Sequence, residues 1–218
     1  MIAKRSKASR AKRRRKPERL SVVVPNYALL PGKNVWLTFD DGPHPKNTEK
    51  VLKILAKFGI TATFFVVGQN AKRWPQLVKK VSDEGHRIGN HSYTHPNLTK
   101  LTDAKILEEI AKTDDLIRDY VGRDKILRPP YGAHNARVDR IIGQLGYRNV
   151  FWNVDTADWN PANQPDKWVQ VGLDQIRTRN DCRVLNHDIH VTTADHLEMF
   201  IQRIKQLGNV TFKAASTL

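Results

Sequence analysis

The chain has 218 residues and a single cysteine, Cys182, so it can bury a sizeable one-domain core and cannot form an internal disulfide. Its formal charge of +15 is uneven: the first nineteen residues hold ten of the 37 Lys and Arg and one acidic residue, Glu18, so the rest is only mildly basic. The apolar run after that basic start, Leu20–Val24, is cut short by Pro25-Asn26, and no stretch approaches the ~20 apolar residues of a membrane helix. Neither a cleavable signal nor a membrane span is therefore expected.

Residues 1–19 form a basic arm with almost no apolar side chains, expected to be disordered. Its Arg13, Arg14, Arg15 and Lys16 are candidates for contact with an anionic polymer, a membrane surface or nucleic acid. Residues 20–33 connect this arm to a domain at 34–218. Val35–Phe39 reads as a strand, and Thr48–Phe58 as a helix with Val51, Leu52, Leu55 and Phe58 on one face. Ala62–Val67 is β-branched and aromatic, as in a buried strand. Ala71–Glu84 has helical spacing of Trp74, Leu77, Val78 and Val81, and Gly85 stands where a helix stop belongs.

Arg87–Asn90 is a short strand candidate. Thr102 can cap a helix whose Ile106, Ile110, Ile117 and Val121 face inward. Lys125–Arg128, Arg148–Val154 and Arg183–Asn186 read as further strands; Asn135–Leu145, Asp166–Arg177 and Ala194–Leu207 read as helices. Cys182 is expected to be a buried structural thiol. Alternating strands and helices without hairpin signals imply a parallel α/β sheet, closed as a barrel of seven or eight strands or open and doubly wound.

The chemistry-bearing residues favour the barrel. Asp40-Asp41, His91, Arg128, Asp155 and His187 all fall at or just after a strand end, and in a βα barrel those ends converge on one face. Two histidines and a carboxylate can hold a divalent metal ion, and a second carboxylate beside them can take a proton from water. In Asp40-Asp41-Gly42-Pro43, neighbouring strand side chains point apart, so the two carboxylates need not share a role. His91 and His95 are four residues apart, with Pro96 favouring a loop or single turn. The two prolines of Arg128-Pro129-Pro130-Tyr131-Gly132 hold a rigid loop that can aim the guanidinium at a carboxylate. Asp155-Thr156-Ala157-Asp158-Trp159 sets carboxylates beside an indole, and a carboxylate partner would keep His187 protonated for general-acid work. His44, His86, His134 and His196 are assigned to surface or structural roles.

Five ordered segments resemble the motifs of the polysaccharide deacetylases, the NodB-homology domain of carbohydrate esterase family 4. They are Thr38–Pro43, His91–His95, Arg128–Gly132, Asp155–Trp159 and Leu185-Asn186-His187. The resemblance runs from about Asn34 to Leu207 and implies a distorted (β/α)7 barrel. It further implies Asp40 as general base oriented by Arg128, and Asp41, His91 and His95 as ligands of a divalent metal, zinc by default with Co2+ or Ni2+ also suited. The Tyr131 backbone N–H would hold the oxyanion, and His187 would be the general acid tuned by Asp158. Trp159, Leu185 and Asp155 would line the substrate pocket. The implied substrate is an N-acetylated poly- or oligosaccharide of peptidoglycan or chitin type, handled by a monomer. O-acetyl removal from xylan, non-haem iron oxygenase chemistry and polyanion binding through the arm are the alternatives. A polysaccharide substrate suggests the envelope or exterior, whereas the missing signal suggests the cytosol.

Overall fold

The computed structural model describes residues 32–218. The basic arm, with Arg13–Lys16, and nearly all of the connecting segment lie outside the described residues.

β1 (Lys33–Asp40) is an interior strand of the sheet. Val35, Leu37 and Phe39 are buried in the main core cluster, while Thr38 and Asp40 point the other way, as strand alternation requires. α1 (Asn47–Phe58) follows and stops at Gly59, whose φ of 63° is the left-handed conformation glycine adopts cheaply. β2 (Thr63–Val66) repeats the alternation: Phe64 stacks on Phe39 at 5.1 Å between ring centroids, and Phe65 turns to the opposite side. Burying such a phenyl ring contributes about 1.5–3 kcal/mol.

The expected helix over 71–84 is two helices, α2 (Gly68–Arg73) and α3 (Pro75–Asp83). Pro75 offers no N–H and disfavours the helical region for the residue before it, so Trp74 adopts φ −132°, ψ 54° and the axis breaks there. β3 (Arg87–Asn90) is as expected. α4 (Asp103–Ile117) is capped by the Thr102 hydroxyl, which accepts from the Lys105 N–H. Val121 lies beyond its end yet packs half-buried on the core.

β4 (Lys125–Leu127), α5 (Ala136–Gln144) and β5 (Tyr147–Asn149) come next. The single strand expected at 148–154 does not exist. β5 pairs with β4, whereas β6 (Val154–Asp155) pairs with β7 (Asp181–His187) at the opposite end of the sheet. The crossing is visible in the backbone: Val150 N–H still donates to Leu127 O, and Asn153 N–H already donates to Arg183 O. α6 (Lys167–Arg177) lies between β6 and β7, and α7 (Val191–Gln206) follows, starting three residues before the expected Ala194. β8 (Val210–Phe212), which no sequence signal announced, pairs with the first residues of β1.

Every strand pair is parallel, in the order β5-β4-β3-β2-β1-β7-β6. A flat sheet of this order would separate its outer strands by six gaps, or about 29 Å at ~4.8 Å each. The chain from Asn149 to Val154 reaches at most ~18 Å. The sheet must therefore curl until its two edges approach. The result is the distorted (β/α)7 barrel, left unladdered between β5 and β6, with all strand C-termini facing one end.

Candidate active site

A cavity of about 410 Å3 opens at that end. Asp40, Asp41, His91, His95, Asp155 and His187 line it, with Tyr131, Trp152, Trp159 and Leu185 as its walls. Arg128 and Asp158 are fully buried behind it. The candidate catalytic, metal-binding and substrate-binding residues within 32–218 thus line this space or lie directly behind it.

Strand alternation alone would send Asp40 and Asp41 apart. Asp41 instead takes φ 75°, a left-handed conformation that aspartate tolerates better than most residues, and its carboxylate faces the same cavity. Ser92, His95, Tyr131 and Ala157 also have positive φ, so five of the six described non-glycine residues of this kind lie in these loops. Such conformations cost about 1–3 kcal/mol each and persist where surrounding structure imposes them.

Asp41, His91 and His95 offer one donor atom each, all within 4.8 Å of one another. His91 Nε2 is 3.4 Å and His95 Nε2 is 3.2 Å from Asp41 Oδ1. That oxygen is buried without a hydrogen-bond partner. His91 Nδ1 lies 2.6 Å from the Arg128 carbonyl, which can only accept, so Nδ1 carries a proton and Nε2 is the nitrogen turned toward Asp41. Burial would raise the Asp41 pKa, but adjacent His91, with the charge of His187, holds it well below the usual carboxylate range. Burial, assisted by His91, lowers the pKa of His95 and favours its neutral, ligating form. A converging N, N, O set with an orphaned buried oxygen fits a divalent metal ion.

Asp40 is held from one side only. Arg128 Nη1 donates to its Oδ1 at 2.7 Å, while Oδ2 faces His91 Nε2 at 3.7 Å. Arg128 is itself fixed by donation to Val150 O at 3.0 Å and Thr38 Oγ1 at 2.9 Å, and its guanidinium lies 4.2 Å from the Phe65 ring centroid. The interior-facing residues of β1 and β2 thus form the seat of the guanidinium.

Across the cavity, His187 Nδ1 is 2.7 Å from Asp158 Oδ1. Asp158 Oδ2 accepts from the His187 backbone N–H at 2.8 Å and from Thr193 Oγ1 at 2.6 Å. Burial would depress the His187 pKa. The hydrogen bond and charge of Asp158, then the charges of Asp40 and Asp41, outweigh it and raise the value to about 9. His187 is thus a cation near neutral pH.

Asp155 does two things: its carboxylate accepts the Ala157 N–H at 2.8 Å, closing the turn that presents Asp158 and Trp159, and it borders the cavity. Trp159 is 51% and Tyr131 69% exposed, unusual for large aromatics and open to a ligand ring. Asp188 points away from the site, fully buried against Gly42 with the Thr48 hydroxyl on its Oδ2; burial pushes its pKa up to about 7. Sequence reasoning missed Trp152, which became visible only once the strand assigned to 148–154 divided. It also gave Thr193 no link to Asp158, which depends on long-range packing.

Residues 29–150, more than half of the chain, match the sequence family described as polysaccharide deacetylase. The peptidoglycan-N-acetylglucosamine deacetylase PgdA of Listeria monocytogenes is 38% identical over 192 residues, which is 86% of this chain but 40% of that protein. The peptidoglycan-N-acetylmuramic acid deacetylase PdaA of Bacillus subtilis is 37% identical over 188 residues, 85% of this chain and 71% of that protein. A family 4 carbohydrate esterase from Streptomyces lividans, solved in complex with acetate, superimposes with a TM-score of 0.72 at 35% identity, covering 83% of this chain and 91% of that one.

Proposed function

The chain belongs to the polysaccharide deacetylase family, and on that premise we propose that it removes N-acetyl groups from an N-acetylglucosamine-containing polysaccharide of peptidoglycan or chitin type, releasing acetate. One observation carries the reading. A carboxylate held by Arg128 and an imidazolium held by Asp158 face the same 410 Å3 cavity as the converging Asp41, His91 and His95 donors.

Asp41, His91 and His95 would hold the divalent metal ion, with zinc the natural choice and cobalt or nickel suited to the same donors. Bound there, the ion supplies Lewis-acid polarisation of the acetyl carbonyl and makes water more acidic. Asp40 Oδ2 takes the proton from the attacking water, and the Arg128 hydrogen bond to Oδ1 keeps the carboxylate aimed. The water oxygen bonds to the acetyl carbon, and the developing oxyanion is met by the Tyr131 backbone N–H. His187 delivers its proton to the sugar nitrogen as the C–N bond breaks, and Asp158 holds the imidazolium in place beforehand. Trp152, Trp159 and Leu185 enclose the acetyl methyl and exclude bulk water. The products are acetate and a free amine.

The test is acetate release from peptidoglycan, chitooligosaccharides and acetylxylan, each with and without chelator. The expected result is release from one or both N-acetylated substrates, abolished by chelator and restored by zinc. Release from acetylxylan alone would make the protein an O-acetyl esterase, and release from none would overturn the reading.

A further inference from the structure

His91 and His95 are fixed in different ways. His91 follows β3 directly: its N–H donates to Val66 O at 3.0 Å and its ring is pinned by the Arg128 carbonyl. His95 sits at φ 59° in a loop with no regular structure; its backbone N–H donates to Ser92 Oγ at 3.2 Å, and its ring has no carbonyl pinning it, only the His91 and Tyr131 rings at 4.9 and 4.6 Å and Asp41 Oδ1 at 3.2 Å. Its orientation therefore depends on what holds residues 92–94.

The loop is gripped from both sides. On one side its carbonyls are taken by the first amides of α2: Gly68 N–H donates to Ser92 O at 2.9 Å and Gln69 N–H to Tyr93 O at 3.0 Å. On the other side its amides are taken by a single side chain, Glu109 of α4. Glu109 Oε2 accepts the Tyr93 N–H at 2.9 Å and the Thr94 N–H at 2.7 Å, and Oε1 accepts the Thr94 hydroxyl at 2.8 Å. Three bonds from one carboxylate onto two consecutive residues fix the direction in which the chain enters His95. The core of α4 does not need Glu109, because its buried residues are Ile106, Ile110, Thr113 and Ile117.

We propose that Glu109 is a positioning residue for the metal centre, holding the Tyr93-Thr94 backbone so that His95 Nε2 converges with His91 and Asp41. This rests on the metal-dependent reading above and assigns α4, a helix with no residue in the cavity, a part in metal affinity. Glu109 acts through His95, not through charge at the ion. A glutamine keeps an oxygen for the two backbone amides, and its amide group can donate to the Thr94 hydroxyl, which is then the acceptor. Alanine keeps nothing.

The experiment measures zinc affinity by competition with a chromophoric chelator, with urea unfolding of the same metal-free samples. The variants are Glu109→Ala, Glu109→Gln, His95→Ala and the double variant Glu109→Ala/His95→Ala. Glu109→Ala should weaken zinc binding about 10- to 100-fold, the usual cost of losing an outer-shell partner, and Glu109→Gln should stay close to wild type. In the His95→Ala background, the further loss of Glu109 should cost little, because its effect passes through the missing ligand. Wild-type zinc affinity in Glu109→Ala overturns the proposal. An equal loss with and without His95 also overturns it, since Glu109 would then act elsewhere. A wild-type chain that binds no zinc overturns both this inference and the metal-dependent reading. Tight wild-type binding with an unchanged alanine variant removes only this inference.

Discussion

The Asp158–His187 pair yields a stability effect with a defined pH signature. Burial works against the imidazolium, but the hydrogen bond and charge of Asp158, with smaller contributions from Asp40 and Asp41, lift His187 from 6.5 to about 9. At about 1.4 kcal/mol per pH unit, that displacement corresponds to about 3 kcal/mol. A raised folded-state pKa stabilises fully below pH 6.5, where folded and unfolded forms both carry the proton. The stabilisation is lost as pH rises through about 9. Asp158→Asn removes the charge that provides most of it. The stability gap between wild type and variant should therefore be larger at pH 6 than at pH 10 by about 3 kcal/mol, above a constant part from weakened bonds to the His187 N–H and Thr193. Urea unfolding at both pH values, with chelator present so that metal binding does not enter, measures it. An equal gap at pH 6 and pH 10 would refute the argument.

Arg128→Met should destabilise by about 3–5 kcal/mol in urea unfolding, because it leaves Asp40 buried and uncompensated and frees Thr38 Oγ1 and Val150 O. Arg128→Lys should not restore full stability, since an ammonium cannot reproduce the planar fork that spans three acceptors. Gly42→Ala should cost about 1–3 kcal/mol and weaken zinc binding, because a Cβ there would overlap the buried Asp188 carboxylate and displace neighbouring Asp41. Unfolding and zinc titration of that variant check both effects.

Much of this site was legible because several of its residues end or directly follow a strand, and parallel strands place their ends together. Asp40, His91, Arg128, Asp155 and His187 could be gathered without coordinates for that reason. The Asp40-Asp41 pair was only half legible: alternation predicts divergence, and the φ of 75° at Asp41 that reunites the two carboxylates leaves no trace in composition. The run 148–154 misled because apolar residues that cross the seam of a curled sheet look like residues inside a strand. Trp74-Pro75 carried the helix break in plain sight, but the apolar spacing over 71–84 outweighed it. β8 has only three residues, too few for a period to show. Glu109 and Thr193 were silent because their partners lie 15 and 35 residues away, and polar side chains on helices read as solvent-facing.

The central claim is that two adjacent carboxylates do different work, Asp41 toward the metal and Asp40 toward the water. Zinc content and acetate turnover measured together on Asp40→Asn and Asp41→Asn test it most directly. Asp41→Asn should lose zinc. Asp40→Asn should retain zinc at the wild-type level while turnover falls by about 10²-fold or more. Near-wild-type turnover by zinc-loaded Asp40→Asn would contradict the account.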